Sequence, residues 1–218
     1  MSETPIRHHK LFRMIHIDNL DVYLKRGGAH AWNSAPNDGL HYHTIHYSTL
    51  QQHRHSRQIQ IEGTDCGTLH DYVPFYFGPR SPMLLSLKNE RVEGYSGGQE
   101  PLIYLVSSTE KMAEAQIPFV FSDGHGIMAL TAWFRDLKDL NQVDWEMVKE
   151  TNWADTIEDG DRKRRKQAEF LVKEFCPWSL IVGIGVYTEK MKARVENSLV
   201  QYPIDNQPVV KVKKEWYY

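Results

Sequence analysis

Between Asp161 and Val172, five consecutive cations, Arg162, Lys163, Arg164, Arg165 and Lys166, lead to a lone carboxylate, Glu169, at the mouth of an apolar run. A charge run of this kind forms a solvated face or neutralises the phosphates of a nucleic acid. In the second case Glu169 faces a reacting centre, and its position rather than its type makes it special. Whether the segment is helix or strand stays open, because Ala168, Leu171 and Val172 fit one period while Phe170 and Val172 fit the other.

Three further stretches carry chemistry-bearing residues. From Leu69 to Met83 the prolines fix the backbone, and Phe75-Tyr76-Phe77 either line a wall that grips a flat ring or belong to the core. Arg80, between Pro79 and Pro82, fits a core poorly. In Ser122-Asp123-Gly124-His125-Gly126 the glycines let backbone approach a ligand, and a helix beginning there would favour an anion. The glycine spacing matches neither the dinucleotide-binding fingerprint nor the P-loop, and Asp123 can equally be a plain helix cap. Histidines 41, 43, 46, 53 and 55 come with no Asp, Glu or Cys among them, so a solvated, mobile segment is expected there and no metal site.

The elements that must hold these residues are short. Asp18 can cap a helix carrying Leu20 and Leu24, with Gly27-Gly28 as its stop. Loops are expected over 33–39 and 62–68. Leu69–Phe77, Met83–Leu87, Leu102–Val106, Phe119–Phe121, Leu180–Tyr187 and Val209–Lys213 read as strands. Ile127, Leu130, Phe134 and Leu137 recur at helical intervals, making Gly126–Leu137 the best-defined helix, and Met191, Val195 and Leu199 mark another. Strands outnumber helices without regular alternation, which predicts an α+β domain rather than a doubly wound parallel sheet.

With 218 residues, 41% hydrophobic and 25% charged, one core suffices, and a single domain over 1–218 is expected. A net charge of −2 restricts any nucleic-acid contact to a local patch. No apolar run approaches the roughly 20 residues of a bilayer span, and Met1–Lys10 is polar with no signal-type region, so a cytoplasmic protein with no membrane partner is expected. Cys66 and Cys176 imply neither a disulfide framework nor a zinc site; one loop thiol and one buried thiol are expected.

The blocks Ile15–Leu20, Leu69–Met83, Gly97-Gly98-Gln99, Phe119–His125, Arg165–Leu171 and the ending Trp216-Tyr217-Tyr218 resemble the DarT family nearly from end to end. That resemblance implies a compact ADP-ribosyltransferase-like domain with a central split β-sheet flanked by helices. It implies transfer of ADP-ribose from NAD, as co-substrate and without a metal, onto a base of single-stranded DNA, here like the thymine branch. Glu169 matches the catalytic glutamate, which begins a strand after a substrate-recognising loop at about 155–166, and Arg54 matches the second catalytic position. His16, Asn19, Tyr76, Met83 and His125 match positions around NAD, with Asp18, Asn33 and Arg80 grouped beside them; Arg13 stands where some relatives carry histidine. Trp153 would stack on bases, and Arg162, Lys163, Arg164 and Arg165 would meet the DNA. His53 occupies a place often filled by arginine, and Lys163 replaces an expected arginine. The resemblance further implies a toxin whose antitoxin, DarG, carries a macrodomain.

Breaking the nicotinamide–ribose bond builds positive charge on the sugar, and Glu169 is expected to stabilise it, through a ribose hydroxyl. The resemblance gives removal of the thymine ring proton to Arg54. A guanidinium stays charged at any ordinary pH, so Arg54 can instead stabilise deprotonated thymine or hold the pyrophosphate. Readings carried alongside are a transferase of the same fold acting on guanine, RNA or protein, a non-catalytic nucleic-acid-binding module, and, last, a histidine-based metal hydrolase.

Overall fold

The computed structural model describes residues 8–202 and 207–218. The strands are β1 (Lys10–His16), β2 (Gly28–His30), β3 (Gln58–Ile61), β4 (Thr64–Thr68), β5 (Tyr72–Tyr76), β6 (Leu102–Ser108), β7 (Phe119–Ser122), β8 (Trp133–Phe134), β9 (Glu169–Lys173), β10 (Phe175–Pro177), β11 (Gly183–Val186) and β12 (Val209–Val212). The α-helices are α1 (Leu20–Lys25), α2 (Ser48–Ser56), α3 (Pro82–Lys88), α4 (Thr109–Glu114), α5 (Trp145–Lys149), α6 (Arg162–Lys166) and α7 (Glu189–Val200). The polar segment over residues 1–7 lies outside the described residues.

The main sheet runs β12-β11-β6-β1-β5-β9-β7-β8. Among the described residues only β11 and β12 pair in parallel, in keeping with the lack of regular β-α alternation. The expected split lies between β1 and β5. β1 pairs with β6 along its whole length, and β5 with β9 along its own, yet β1 meets β5 only where Phe12 stands opposite Tyr76. The sheet therefore consists of two four-stranded halves joined at one point.

Alternation builds the core on both faces of these strands. On β6, Ile103 and Leu105 join the larger cluster with Leu11, Ile15, Phe75 and Phe170, while Leu102, Tyr104 and Val106 join Phe12, Leu84 and Tyr217 in a second. α7 covers the larger cluster through Met191, Val195 and Leu199, the three residues whose spacing predicts it.

Several local expectations are corrected. Met83–Leu87 is part of α3, not a strand, because the Ser81 hydroxyl accepts from the Leu84 amide and Pro82 occupies the first turn. Gly126–Leu137 is not a helix. After β7 the chain turns, adds β8 and ends in a 3-10 helix at Leu137–Gln142, with Leu130 exposed and Phe134 stacked on Phe121. Its apolar spacing serves different surfaces rather than one helical stripe. Residues 62–68 are mostly hairpin, with Gly63 at φ 69° turning β3 into β4. The predicted cap Asp18 lies inside a 3-10 helix, Ile17–Asn19, whose cap is the His16 side chain. Both cysteines are buried, Cys66 on β4, so the expected loop thiol is absent. Within the histidine-rich stretch, residues 48–56 form α2.

Candidate active site

Glu169 opens β9 and stands opposite Tyr76 of β5, which in turn stands opposite Phe12 of β1. The carboxylate thus sits in the row where the two half-sheets meet. Its backbone is pinned there: the Glu169 amide donates to Ser122 Oγ at 3.1 Å, and that hydroxyl donates to the Gly124 carbonyl at 2.6 Å. The glycine-rich segment after β7 therefore folds back onto the start of β9.

The carboxylate is 2% exposed. Arg54 Nη1 donates to both of its oxygens, at 3.2 and 3.0 Å, and the Gly126 amide donates to Oε1 at 3.2 Å. Arg54 comes from α2 and is itself buried. A buried ion pair of this kind is stable only while both partners are present, since a lone buried charge is strongly unfavourable. Arg54 Nη2 is buried without a hydrogen-bond partner among the described residues. It is a charged donor with capacity left for a ligand.

Two titratable groups flank the pair. Burial holds the His125 imidazole below its ordinary pKa, a shift the Glu169 charge opposes. Burial also raises the Tyr76 phenol, with Glu169 adding to the effect. The site therefore presents one carboxylate, one guanidinium and neutral hydrogen-bonding groups, a set suited to stabilising a cationic sugar rather than to metal chemistry.

A second corner forms where β1 ends. His16, buried, stacks on His43 with ring centroids 4.1 Å apart, and Tyr95 meets both edge-on. Asn19 fixes His43 by donating to its carbonyl at 2.9 Å and accepting from its amide at 2.6 Å. Burial, then His43, lowers the His16 pKa. Donor atoms of His16, Asp18 and His43 lie within 4.8 Å of one another. His16 Nδ1, however, accepts from the Asp18 amide, and the Asp18 carboxylate pairs with Arg194.

Among the described residues none of the other expected cofactor residues hydrogen-bonds the Glu169 carboxylate. Arg13 donates to the Tyr23 hydroxyl at 3.1 and 2.9 Å and to the Pro74 carbonyl at 2.9 Å, tying β1 to α1 and β5. Asn33 donates to Asp71 at 2.7 Å. Arg80, at φ 57°, donates to the Tyr217 carbonyl at 2.8 Å, and Met83 packs on the second core cluster from α3.

The side chains of the cation run are largely engaged by carbonyls and carboxylates of this chain. Arg162 donates to the carbonyls of Ala154 and Asn152, at 3.0 and 2.6 Å. Arg164 grips Asp161 and reaches Asp123 at 2.8 Å, while Arg165 pairs with Asp144 and Asp159. The Lys166 ammonium is buried on the carbonyls of Val148 and Glu150, and burial pushes its pKa down to about 8. Among the described residues Lys163 is the cation of this run whose exposed side chain has no hydrogen-bond or ion-pair partner. Trp153 donates to the Tyr218 hydroxyl at 2.6 Å.

Sequence reasoning missed Ser122, the Gly126 amide and the Arg164–Asp123 link. Their signal was present in the Gly124-His125-Gly126 pattern. A Cβ on Gly124 would stand 2.3 Å from Arg164 Nη1, so the glycine is required by that guanidinium.

A split mixed sheet with a buried, arginine-paired glutamate at the junction defines a transfer centre of the ADP-ribosyltransferase class. The family described as ssDNA thymidine ADP-ribosyltransferase, DarT, matches residues 12–218. A DNA ADP-ribosyl transferase of Thermus sp. (strain 2.9) is 42% identical over 216 residues, 99% of this chain and 96% of that protein. The solved structure of Thermus sp. 2.9 DarT in complex with ADP-ribosylated ssDNA is similar at TM-score 0.88 and 40% identity, covering 96% of each chain. The same DarT in complex with NAD+ is similar at TM-score 0.84 and 39% identity, covering 96% of this chain and 98% of that one. This chain belongs to the DarT family, and it is a DNA ADP-ribosyltransferase. No helix among the described residues is long and apolar enough to cross a membrane.

Proposed function

We propose that this protein transfers ADP-ribose from NAD onto a thymine base of single-stranded DNA and serves as the toxin of a toxin–antitoxin pair. The observation that carries the reading is the buried Arg54–Glu169 pair at the sheet junction of a DarT-family chain. The bond from the anomeric carbon to nicotinamide breaks, and its electron pair leaves with neutral nicotinamide. A thymine ring nitrogen forms the new bond to that carbon and gives up its proton to water.

Glu169 stabilises the oxocarbenium-like sugar, directly or through a ribose hydroxyl, from a water-poor position where charge acts strongly. Arg54 remains a cation. Its Nη1 aims the carboxylate, and its unpartnered Nη2 is free to meet an oxygen of a thymine losing its proton. His16 and Asn19, with His125 and Tyr76, bind and orient the dinucleotide. An unpaired strand is the expected acceptor, since its base is presented without the few kcal/mol, roughly, that extrusion from a duplex requires. An antitoxin of the DarG macrodomain type completes the pair.

The test is incubation with NAD and oligothymidine, oligoguanosine or duplex DNA, reading nicotinamide release and the mass of the oligonucleotide. ADP-ribose on unpaired thymine alone is expected. Modification of guanine, RNA or protein instead would replace the acceptor in this reading. DNA binding without nicotinamide release would leave only a binding module.

A further inference from the structure

Building on that reading of the substrate, we infer that the unpaired strand is held chiefly by its bases, on an apolar rim around the catalytic pair with Trp32 as the stacking platform. Seven large apolar side chains are exposed among the described residues, and four of them, Trp32, Met128, Leu130 and Ile157, lie in three segments that side-chain contacts link to that pair or to the loop that holds it. Single exposed apolar residues are ordinary, but several on segments tied to one buried ion pair are suited to a binding surface.

Each segment is tied to the centre. Met128 and Leu130 follow Gly126, whose amide holds Glu169, and Arg57, just past α2, donates to the Met128 carbonyl at 3.1 Å. Ile157, fully exposed, is on the substrate loop, whose root is fastened by Arg164 to Asp123. Trp32 is 61% exposed yet held: its ring stacks on His70 at 5.4 Å and meets His46 edge-on at 5.9 Å. His70 is bonded to Gln51, three residues before Arg54 on α2. A rigid aromatic ring with much of its surface in solvent, one packed side chain from the catalytic helix, suits a base.

One further observation favours bases over phosphates. Arg162, Arg164 and Arg165 are already engaged by carbonyls and carboxylates of this chain, which leaves little charge in the run for the backbone of a nucleic acid. Beside the platform, Nδ1 of His46 and of His70 and Nη2 of Arg54 are buried without partners among the described residues. Buried polar atoms of this kind call for a ligand to complete them.

The test is steady-state transfer on single-stranded oligonucleotides. Trp32→Ala is expected to raise KM for DNA about tenfold or more with kcat little changed, and Trp32→Phe to restore most of it. With the parent protein, an abasic position beside the target thymine should weaken binding similarly. The affinity should fall with salt at a logarithmic slope shallower than about −2, the value for roughly three phosphates on a single strand. A Trp32→Ala protein whose KM stays within about twofold of the parent, or a slope of about −2 or steeper, overturns the rim. If the parent modifies DNA in such a case, the transferase reading survives. If the parent releases nicotinamide but modifies no DNA, that reading fails as well.

Discussion

In the proposed reaction Glu169 acts through its charge rather than its shape. Glu169→Gln keeps the hydrogen-bonding outline but removes the anion, and nicotinamide release is expected to fall about a hundredfold to a thousandfold, the usual loss for a group facing developing charge. Arg54→Ala tests the other half of the pair. It strands a carboxylate that is 2% exposed, so denaturant unfolding should show a loss of about 3–5 kcal/mol in addition to lost activity. As candidates both residues were legible in the sequence, Glu169 by its place after the cation run and its match to the family, Arg54 through that match alone. Their contact was not, because they lie 115 positions apart.

The elements decide how firmly the loops frame that pair. The segment after β7 and the substrate loop are locked together by Arg164, which bridges Asp123 and Asp161. Gly124→Ala would place a Cβ 2.3 Å from Arg164 Nη1 and expel the guanidinium. Limited proteolysis within 155–161 should then become faster by about tenfold, with transfer reduced, because a local opening becomes cheaper while the sheet is untouched. The predicted helix over Gly126–Leu137 failed for the same reason that this lock exists. Gly124, His125 and Gly126 spend their backbone groups on Ser122, Arg164 and Glu169 rather than on a helical ladder.

Over the described part of the molecule, buried and partly buried histidines make folding sensitive to acid. Burial lowers the pKa of His16, His30, His46, His70 and His125, and that of His70 falls to about 4, with the Arg54 charge contributing. An unfolded chain binds protons at about pH 6.5, where the folded histidines stay neutral, so the unfolded state takes up more protons as pH falls. Stability should be full at pH 7.5, begin to drop through about 6.5 and keep dropping toward pH 4. Thermal unfolding followed at pH 7.5 and 5 checks this, and an unchanged Tm would refute it.

Periodicity and residue type alone determined the α+β class, strands β6, β7, β11 and β12 and helix α7. These are local properties, set by which positions alternate between core and solvent within a few residues. The tertiary structure alone decided that α2 delivers Arg54 to Glu169, that the two half-sheets meet in that row, and that four of the five cations face carbonyls and carboxylates of this chain. Electrostatic pairing depends on distance in space, which the order of residues along the chain does not contain.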